Sequence, residues 1–271
     1  LAGCRQQARE RFQQAVLPFT DREAEALSVL VGHLEERIAD EYPLLARHPW
    51  RFIKTANHLC GGFSWTRGQC IVFSERTVES IQVSRHTRSA AQLVEHHGPL
   101  LLHEQMHVLQ RIYPERFVEL YTDIFGFEKA TVAPHPWLTE RQITNPDAVR
   151  LEWLFPIPDT DGRQQMIWPR TILRTIEGVP RMGRDFQWMA VEVQRDGAIW
   201  RVVSQADGKP AHAPSAFRTL AGRFPVPNGL DHPNEIAAYL FPQIVFGTGS
   251  DRRSTSEIRQ PMADWCRQQL R

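Results

Sequence analysis

The amino-acid sequence predicts an α+β fold, because helical and β-like patterns occupy separate stretches of the chain. Apolar residues recur at helical spacing through most of the first 125 positions. The stretch 130–232 is instead rich in Pro, Gly and short β-like runs, and two more helical patterns follow at 234–246 and 257–270.

Length and charge exclude several classes of protein. A chain of 271 residues can bury a full core without disulfides. Its 32 Lys and Arg against 31 Asp and Glu leave a net charge of +1, which argues against nucleic-acid binding, since that function needs a basic surface. No stretch approaches the roughly 18 apolar residues of a transmembrane helix, so we expect no membrane span.

The N-terminal half is predicted to alternate helices and strands. Helices are expected at 5–17 and at 21–41, the second with acidic residues in its first turn. Two strands, 51–54 and 69–74, follow and are joined through a Gly-rich turn, and a further helix begins at Glu75.

The next helical pattern is divided by a Gly-Pro pair. A helix over 90–97 is predicted to end at Gly98-Pro99, because proline removes a backbone donor and disfavours a helical residue before it. The clearest helix of the chain then covers 100–113, and another follows over 114–124.

The β-rich middle contains four strand patterns and one strong turn. The expected strands are 149–155, 166–172, 186–194 and 198–203. Asp196-Gly197 lies between the last two, and Asp-Gly is typical of a two-residue hairpin turn. A loop over 225–233 leads into the helix at 234–246.

One motif indicates chemistry: His103-Glu104-Gln105-Met106-His107, an H-E-x-x-H pattern on the clearest helix. Residues at positions i and i+4 share a helix face, so His103 and His107 can bind the same metal ion. Glu104 is next to the first ligand and can take a proton from the attacking water and return it to a leaving amine.

The sequence around the motif is apolar, which is typical of a buried helix. The apolar neighbours are Leu100, Leu101, Leu102, Met106, Val108 and Leu109. Buried imidazoles and a buried carboxylate need partners, and a metal ion is one such partner. The alternative is a surface helix whose polar groups are satisfied without a metal.

A zinc ion needs a third protein ligand and one open position. No H-x-x-G-x-x-H extension follows His107, which excludes the metzincin type. Glu235 is the favoured third ligand, because it lies near the start of an apolar helix whose small residues allow close packing. His232 and His135 remain alternatives, and His232 could instead cap the helix or support a ligand.

These two helices resemble those of the gluzincin metallopeptidases. Residues 99–113 are similar to the active-site helix of that clan, and the segment Asn234-Glu235-Ile236-Ala237-Ala238 resembles its N-E-x-x-A/S second helix. The segments Pro49–Lys54, Gly61-Gly62, Thr66–Gly68 and Asn145–Ala148 also resemble uncharacterised bacterial zincin-like proteins.

The resemblance implies a zincin-like fold in which His103, His107 and Glu235 bind Zn²⁺ and Glu104 is the general base. It implies a catalytic domain over 49–250, preceded by a helical segment, 1–48, and followed by a packed helix, 251–271. Glu235 lies 128 positions after His107, much farther than in thermolysin-like members. The β-rich insertion, 130–232, is therefore particular to this protein, and substrate rules do not transfer.

Other parts of the site are less well specified. Tyr239 lies four residues after Glu235 and could donate a hydrogen bond to the developing oxyanion, although it could equally be a core aromatic residue. Tyr113 and Tyr121 are weaker candidates. Asp147 could orient a ligand histidine, or simply form a turn.

A substrate peptide needs a surface to bind. In zincins a strand upstream of the metal-binding helix lies at the sheet edge and pairs with extended substrate, and 69–74 is the candidate here. The alternative is an ordinary internal strand.

The first residues and the cysteines give the evidence on the cellular location of the protein. Leu1-Ala2-Gly3-Cys4 resembles a bacterial lipobox, with Cys4 as the lipid anchor; the alternative is an incidental helix start. Cys60 and Cys70 flank a Gly-rich stretch and could be bridged, or could be free thiols. A cell-envelope or secreted location is slightly favoured over the cytoplasm.

Together these patterns predict a zinc-dependent hydrolase that cleaves peptide bonds in peptides or proteins. Two alternatives remain open. One is a zinc hydrolase that acts on a small amide, and the other is a cell-envelope binding protein that keeps the fold with little catalysis.

Overall fold

The computed structural model describes residues 2–148, 150–158, 162–177, 180, 184–248 and 255–271. It has two sheets among many helices and is therefore α+β, as the sequence predicts. Backbone contacts divide the chain into two units: a first unit of Leu1–Ile112, Phe241–Gly247 and Cys266–Arg271, and a second unit of Tyr113–Leu240 and Thr248–Trp265. The predicted catalytic domain, 49–250, was defined by function and not by contacts. Its bounds therefore stay a prediction.

Five helices lie in the first unit: α1 (Ala2–Ala15), α2 (Asp21–Ile38), α3 (Pro43–Arg47), α4 (Glu75–Thr87) and α5 (Ala90–Ile112). The predicted helices at 5–17, 21–41 and 75 onwards are present, but the first ends at Ala15, because Val16 and Leu17 form a short strand. Helix α2 begins where expected because Thr20 and Glu23 form a reciprocal capping box. It ends at Ile38, and Pro43 begins the short helix α3.

The sheet of the first unit has four strands: β1 (Val16–Leu17), β2 (Phe52–Thr55), β3 (Trp65–Arg67) and β4 (Cys70–Ser74), in the order β1-β2-β4-β3. The predicted strands 51–54 and 69–74 are present as β2 and β4. The sequence analysis missed β3, which pairs antiparallel with β4 across a tight turn at Gly68.

The prediction that 69–74 forms the sheet edge is wrong. Strand β4 pairs parallel with β2 on one side and antiparallel with β3 on the other, so it is internal. The two edge strands are β1 and β3. The missed hairpin explains the error, because a three-residue strand carries too little alternation to be recognised from sequence.

The prediction that the helix ends at Gly98-Pro99 is also wrong. Helix α5 runs without interruption from Ala90 to Ile112, with Pro99 inside it. Proline inside a helix costs about 3 kcal/mol, but apolar residues on both sides, such as Leu93 and Leu101, are fully buried and offset that cost. Gly98 is required there, because a Cβ atom would lie 2.6 Å from the Phe246 ring.

The second unit contains short helices and irregular turns. The predicted regular helix at 114–124 is instead a 3₁₀ turn, Pro114–Phe117, followed by a π-helical turn, Leu120–Ile124. Two short α-helices follow, α6 (Pro136–Arg141) and α7 (Ala216–Arg223). Helices α8 (Pro233–Phe246) and α9 (Thr255–Gln269) confirm the two helices predicted at the C-terminal end.

The second sheet is a five-stranded antiparallel meander: β5 (Glu128–Lys129), β6 (Trp153–Pro158), β7 (Gln164–Leu173), β8 (Phe186–Asp196) and β9 (Ile199–Val202). All four predicted strands are present, and the predicted start at Val149 lies outside the described residues. The Asp196-Gly197 hairpin is confirmed: Asp196 pairs with Ile199, and Gly197 has φ +61°. Leu138 of α6 packs on Leu154, Ile172 and Val191 of this sheet.

The structure bears on the predicted disulfide and on the expected absence of a membrane span. Cys60, Cys70 and Cys266 carry free thiols, so Cys60 and Cys70 are not bridged. The side chain of Cys4 lies outside the described residues, and the lipid anchor stays a prediction. Within the described part of the chain, every helix is too short or too polar to cross a membrane.

Candidate metal centre

Helix α5 presents the two histidines of the motif on one face. The Nε2 atoms of His103 and His107 lie 3.1 Å apart, and their rings meet edge to face at 82°. This geometry follows from the four-residue spacing, which brings side chains together one turn apart. His107 is 1% exposed and Glu104 is 3% exposed, so both polar side chains are withdrawn from solvent, as the apolar flanks predict.

Gln110 orients His107. Its Oε1 atom lies 2.8 Å from His107 Nδ1, and both side chains are buried. The tautomer that donates from Nδ1 to this amide oxygen leaves the Nε2 lone pair on the side of His103. A metal-binding histidine needs this arrangement. Gln110 was not predicted from the sequence, although its position three residues after His107 places it on the same side of the helix.

Glu235 lies in the first turn of α8 and is 8% exposed. Asn145 Nδ2 donates a 2.6 Å hydrogen bond to Glu235 Oε1. The Asn145 side chain is itself held, since its Oδ1 accepts from the Asp147 amide at 3.0 Å. Asn145 is therefore a second residue that the sequence analysis did not identify as functional, and nothing local in the sequence signals its contact with a residue 90 positions away.

A glycine turn packs directly on Glu235. A Cβ atom on Gly229 would lie 2.5 Å from Glu235 Cβ and 3.2 Å from Tyr239 Cε2. Gly229 also has φ +79°, which favours glycine. Glu235 and Tyr239 thus lie on the same face of α8, beneath this turn.

The three predicted ligands come together. One ligand atom each of His103, His107 and Glu235 lies within 4.8 Å of the others. In the described part of the chain this is the only group of three or more His, Cys, Asp or Glu residues with metal-binding spacing.

The donor set suits zinc. Two imidazole nitrogens and one carboxylate oxygen are the ligands of a catalytic zinc site with one open position. Two nitrogens bound to a tetrahedral zinc ion at about 2.0–2.1 Å are about 3.3 Å apart. The observed 3.1 Å between the two Nε2 atoms is within a few tenths of an ångström of that spacing.

The alternative third ligands have other partners. His232 Nε2 lies 2.6 Å from the Arg150 carbonyl oxygen, and its Nδ1 accepts from the Asn234 amide at 3.0 Å. His232 therefore caps the start of α8, as one of the predicted alternatives held. His135 Nε2 contacts Ser204 Oγ at 3.2 Å, and neither histidine belongs to the metal-binding group.

The predicted accessory residues have different environments. Tyr121 is buried against Phe117, Phe125 and Trp153 and is a core aromatic residue. Tyr113 stacks under the Arg116 guanidinium. Tyr239 is half-buried, and its role as oxyanion donor stays a prediction.

Asp147 has a visible role through its backbone. Its carbonyl oxygen accepts from Asn234 Nδ2 at 3.0 Å, and its amide donates to Asn145. The first contact holds the 145–147 turn against the start of α8, and the second closes the turn itself. The predicted contact of Asp147 with a ligand histidine stays a prediction.

A second carboxylate lies near Glu235. Thr171 Oγ1 donates a 2.5 Å hydrogen bond to Asp231 Oδ2. Burial raises the pKa of Asp231, the negative charge of Glu235 raises it further, and the Arg170 guanidinium lowers it. The pKa of Asp231 therefore depends both on Glu235 and on Arg170 of strand β7.

Comparison of the chain with protein-family models, with curated proteins and with solved structures finds no match. The assignment of a function consequently depends on the residues and geometry described above.

Proposed function

We propose that this protein is a zinc-dependent hydrolase with a zincin-like arrangement of helices α5 and α8, and that it cleaves peptide bonds. The observation that carries the proposal is the group formed by His103, His107 and Glu235, with ligand atoms within 4.8 Å of one another. The buried Glu104 follows the first ligand directly in α5, which is where a general base is needed.

His103, His107 and Glu235 would hold the ion. When bound, zinc supplies a Lewis acid that polarises a carbonyl group and increases the acidity of water. Glu104 then holds the proton of the attacking water on its carboxylate and releases it to the leaving amine. Gln110 and Asn145 keep two of the ligands oriented, and Tyr239 is the proposed hydrogen-bond donor to the developing oxyanion.

The edge position of strand β3 favours a peptide as the substrate. It pairs only with β4 in the described sheet, so its other edge can receive an extended chain by strand addition. Arg111, near the end of α5, donates to Thr66 Oγ1 at 2.8 Å and to the Gly68 carbonyl oxygen at 3.0 Å. These bonds tie the edge strand to the helix that carries His103 and His107.

The test is zinc content by elemental analysis of the wild type and of Glu235→Ala. We expect about one zinc per chain in the wild type and a sharp loss of zinc affinity in the variant. Glu257→Ala is the matched control, because Glu257 also lies in the first turn of a helix, α9, but is exposed. A wild type that does not bind zinc would refute the proposal. Unchanged zinc binding by Glu235→Ala would refute the role of Glu235 as a ligand.

Substrate class is tested on the same preparations. A peptide library and a panel of small amides would be assayed with zinc-loaded wild type. Turnover confined to the small amides would overturn the peptidase assignment while leaving the hydrolase assignment intact.

A further inference from the structure

The second unit has a cleft on its surface that is separate from the candidate metal centre. Its volume is about 470 Å³, which is typical of small-molecule sites in proteins. Strand β6, the C-terminal half of α7 and the first turn of α9 form its walls. None of the three candidate zinc ligands lines it, so a molecule bound here needs no metal ion.

The β6 wall of the cleft offers hydrogen-bond acceptors without donors. Pro156 and Pro158 line the cleft, and proline has no N–H group. The Ala130 amide donates to the Glu152 carbonyl oxygen at 2.7 Å, so every second residue after Glu152, including both prolines, directs its carbonyl oxygen away from β7. In the described sheet β5 pairs only with the first two residues of β6. The rest of this edge therefore carries free acceptors and cannot receive a β-strand.

The two charged side chains of the cleft have opposite signs. Arg223 ends α7, and its Nη2 atom donates one long hydrogen bond, 3.4 Å, to the Ile124 carbonyl oxygen. Glu257 lies in the first turn of α9 and is exposed. None of the ion pairs among the described residues includes either side chain. Both charges are therefore available to a ligand.

A glycine leaves the α7 wall open. Gly222 lies inside α7 and lines the cleft, and an added Cβ atom would meet nothing within 4 Å. Glycine in a helix costs about 1 kcal/mol relative to alanine, so neither helix formation nor packing favours it at this position. A large side chain here would narrow the cleft.

We propose that this cleft binds a dipeptide with free termini and apolar side chains. The carboxylate of the dipeptide pairs with Arg223, and its ammonium group donates to Glu257 and to the two proline carbonyl oxygens. Phe155 and Ile258 line the cleft and provide apolar contacts. A simple anion would use only Arg223, and an uncharged apolar molecule would leave both charges unused.

The test is calorimetric titration of the full chain, with zinc removed so that hydrolysis cannot consume the probe. The probes are leucyl-leucine, its N-acetyl derivative and its C-terminal amide. Loss of either terminal charge should weaken binding to the wild type about tenfold or more, because each charge forms charge-assisted hydrogen bonds.

The variant Gly222→Trp tests whether the probe binds in this cleft. The indole should occupy the cleft and abolish binding of leucyl-leucine. Gly222→Ala is the matched control, because its Cβ atom meets nothing within 4 Å, and it should keep the affinity of the wild type. Circular dichroism would verify that both variants fold.

Two further variants test the charges separately. Arg223→Met should remove the preference for leucyl-leucine over its amide, whereas Arg218→Met, an exposed arginine of the same helix, should keep it. Glu257→Ala should remove the preference over the N-acetyl derivative. It should still bind zinc like the wild type, because the cleft and the metal centre share no residue.

Three results would overturn the proposal: no binding of leucyl-leucine at millimolar concentration, a blocked probe that binds the wild type as tightly as leucyl-leucine, or unchanged binding by a folded Gly222→Trp. None of these depends on zinc. Failure of the proposed function would show itself separately, as a wild type that does not bind zinc.

Discussion

The candidate metal centre is built by two regions that obtain their geometry in different ways. In α5, His103, His107 and Gln110 lie within eight consecutive residues, and one helix places all three. At the start of α8, Glu235 depends on Asn145, which is 90 positions away, and on the turn at Gly229. The first region can be recognised from a local motif, whereas the second needs the folded chain.

The two regions should respond differently to mutation. Changes within α5 should alter chemistry or a single ligand without disturbing the fold, because helix formation already fixes the spacing. Changes around Glu235 should disturb the ligand through its neighbours, because Asn145 binds its carboxylate and Gly229 packs against its Cβ atom.

Glu104→Gln should have the largest effect. The amide cannot hold the proton of the attacking water, so turnover should fall by about 10²–10⁴-fold, the usual contribution of a general base. The substitution keeps the size of the side chain, so zinc content should equal that of the wild type. Peptide turnover and elemental analysis on the same preparation would measure both. Full activity in this variant would refute the role of Glu104.

Asn145→Ala and Gln110→Ala form a matched pair for the two regions. Each removes one hydrogen bond to a ligand, and loss of such support typically costs about 10–100-fold in metal affinity. We expect the larger loss in Asn145→Ala, because Gln110 supports a histidine that the helix already positions. Competition with a chelator would measure both affinities. A larger loss of affinity in Gln110→Ala would show that the ligand on α5 depends more on its neighbour than Glu235 does.

Gly229→Ala tests the turn above Glu235. Its Cβ atom would clash with Glu235 Cβ at 2.5 Å in a backbone conformation that alanine resists. The clash and the strain should together lower the free energy of unfolding by about 2–4 kcal/mol.

The matched control is Gly208→Ala, which has a similar φ of +77° but nothing within 4 Å of the new atom. It should lose only the strain, about 1 kcal/mol. Denaturant unfolding of both variants gives the difference. Equal losses would mean that the close approach to Glu235 is unimportant.

The pH dependence of stability tests the burial of His97 in the first half of α5. Burial, together with the nearby His96 and Arg88, lowers the pKa of His97 to about 4. His97 Nε2 contacts Ser84 Oγ of α4 at 2.9 Å. A histidine whose pKa is lowered by folding stabilises the protein fully above its unfolded pKa, near 6.5.

This contribution is lost as the pH falls from about 6.5 to about 4, and we expect a loss of about 1–2 kcal/mol. His97→Gln should flatten the decrease in that window, whereas the exposed His86→Gln should leave it unchanged. Urea unfolding between pH 4 and pH 7 would measure both. A slope in His97→Gln equal to that of the wild type would contradict the assignment.

Some features of this protein were determined by the sequence alone. The H-E-x-x-H spacing, the Asp196-Gly197 turn and the capped start of α2 each depend on a few neighbouring residues, and all were predictable. The place of Glu235 near His103 and His107 was also predicted, from a carboxylate at the start of an apolar helix. Its role as a zinc ligand stays a prediction.

Other features were decided only by the tertiary structure. Pro99 was expected to end a helix, but burial of apolar residues on both sides keeps α5 continuous. The edge position of β3, the support of Glu235 by Asn145 and the burial of Arg170 likewise depend on residues far apart in the chain. The physical reason is that local patterns specify backbone conformation, whereas packing and the burial of polar groups are determined by contacts that form only when the chain folds.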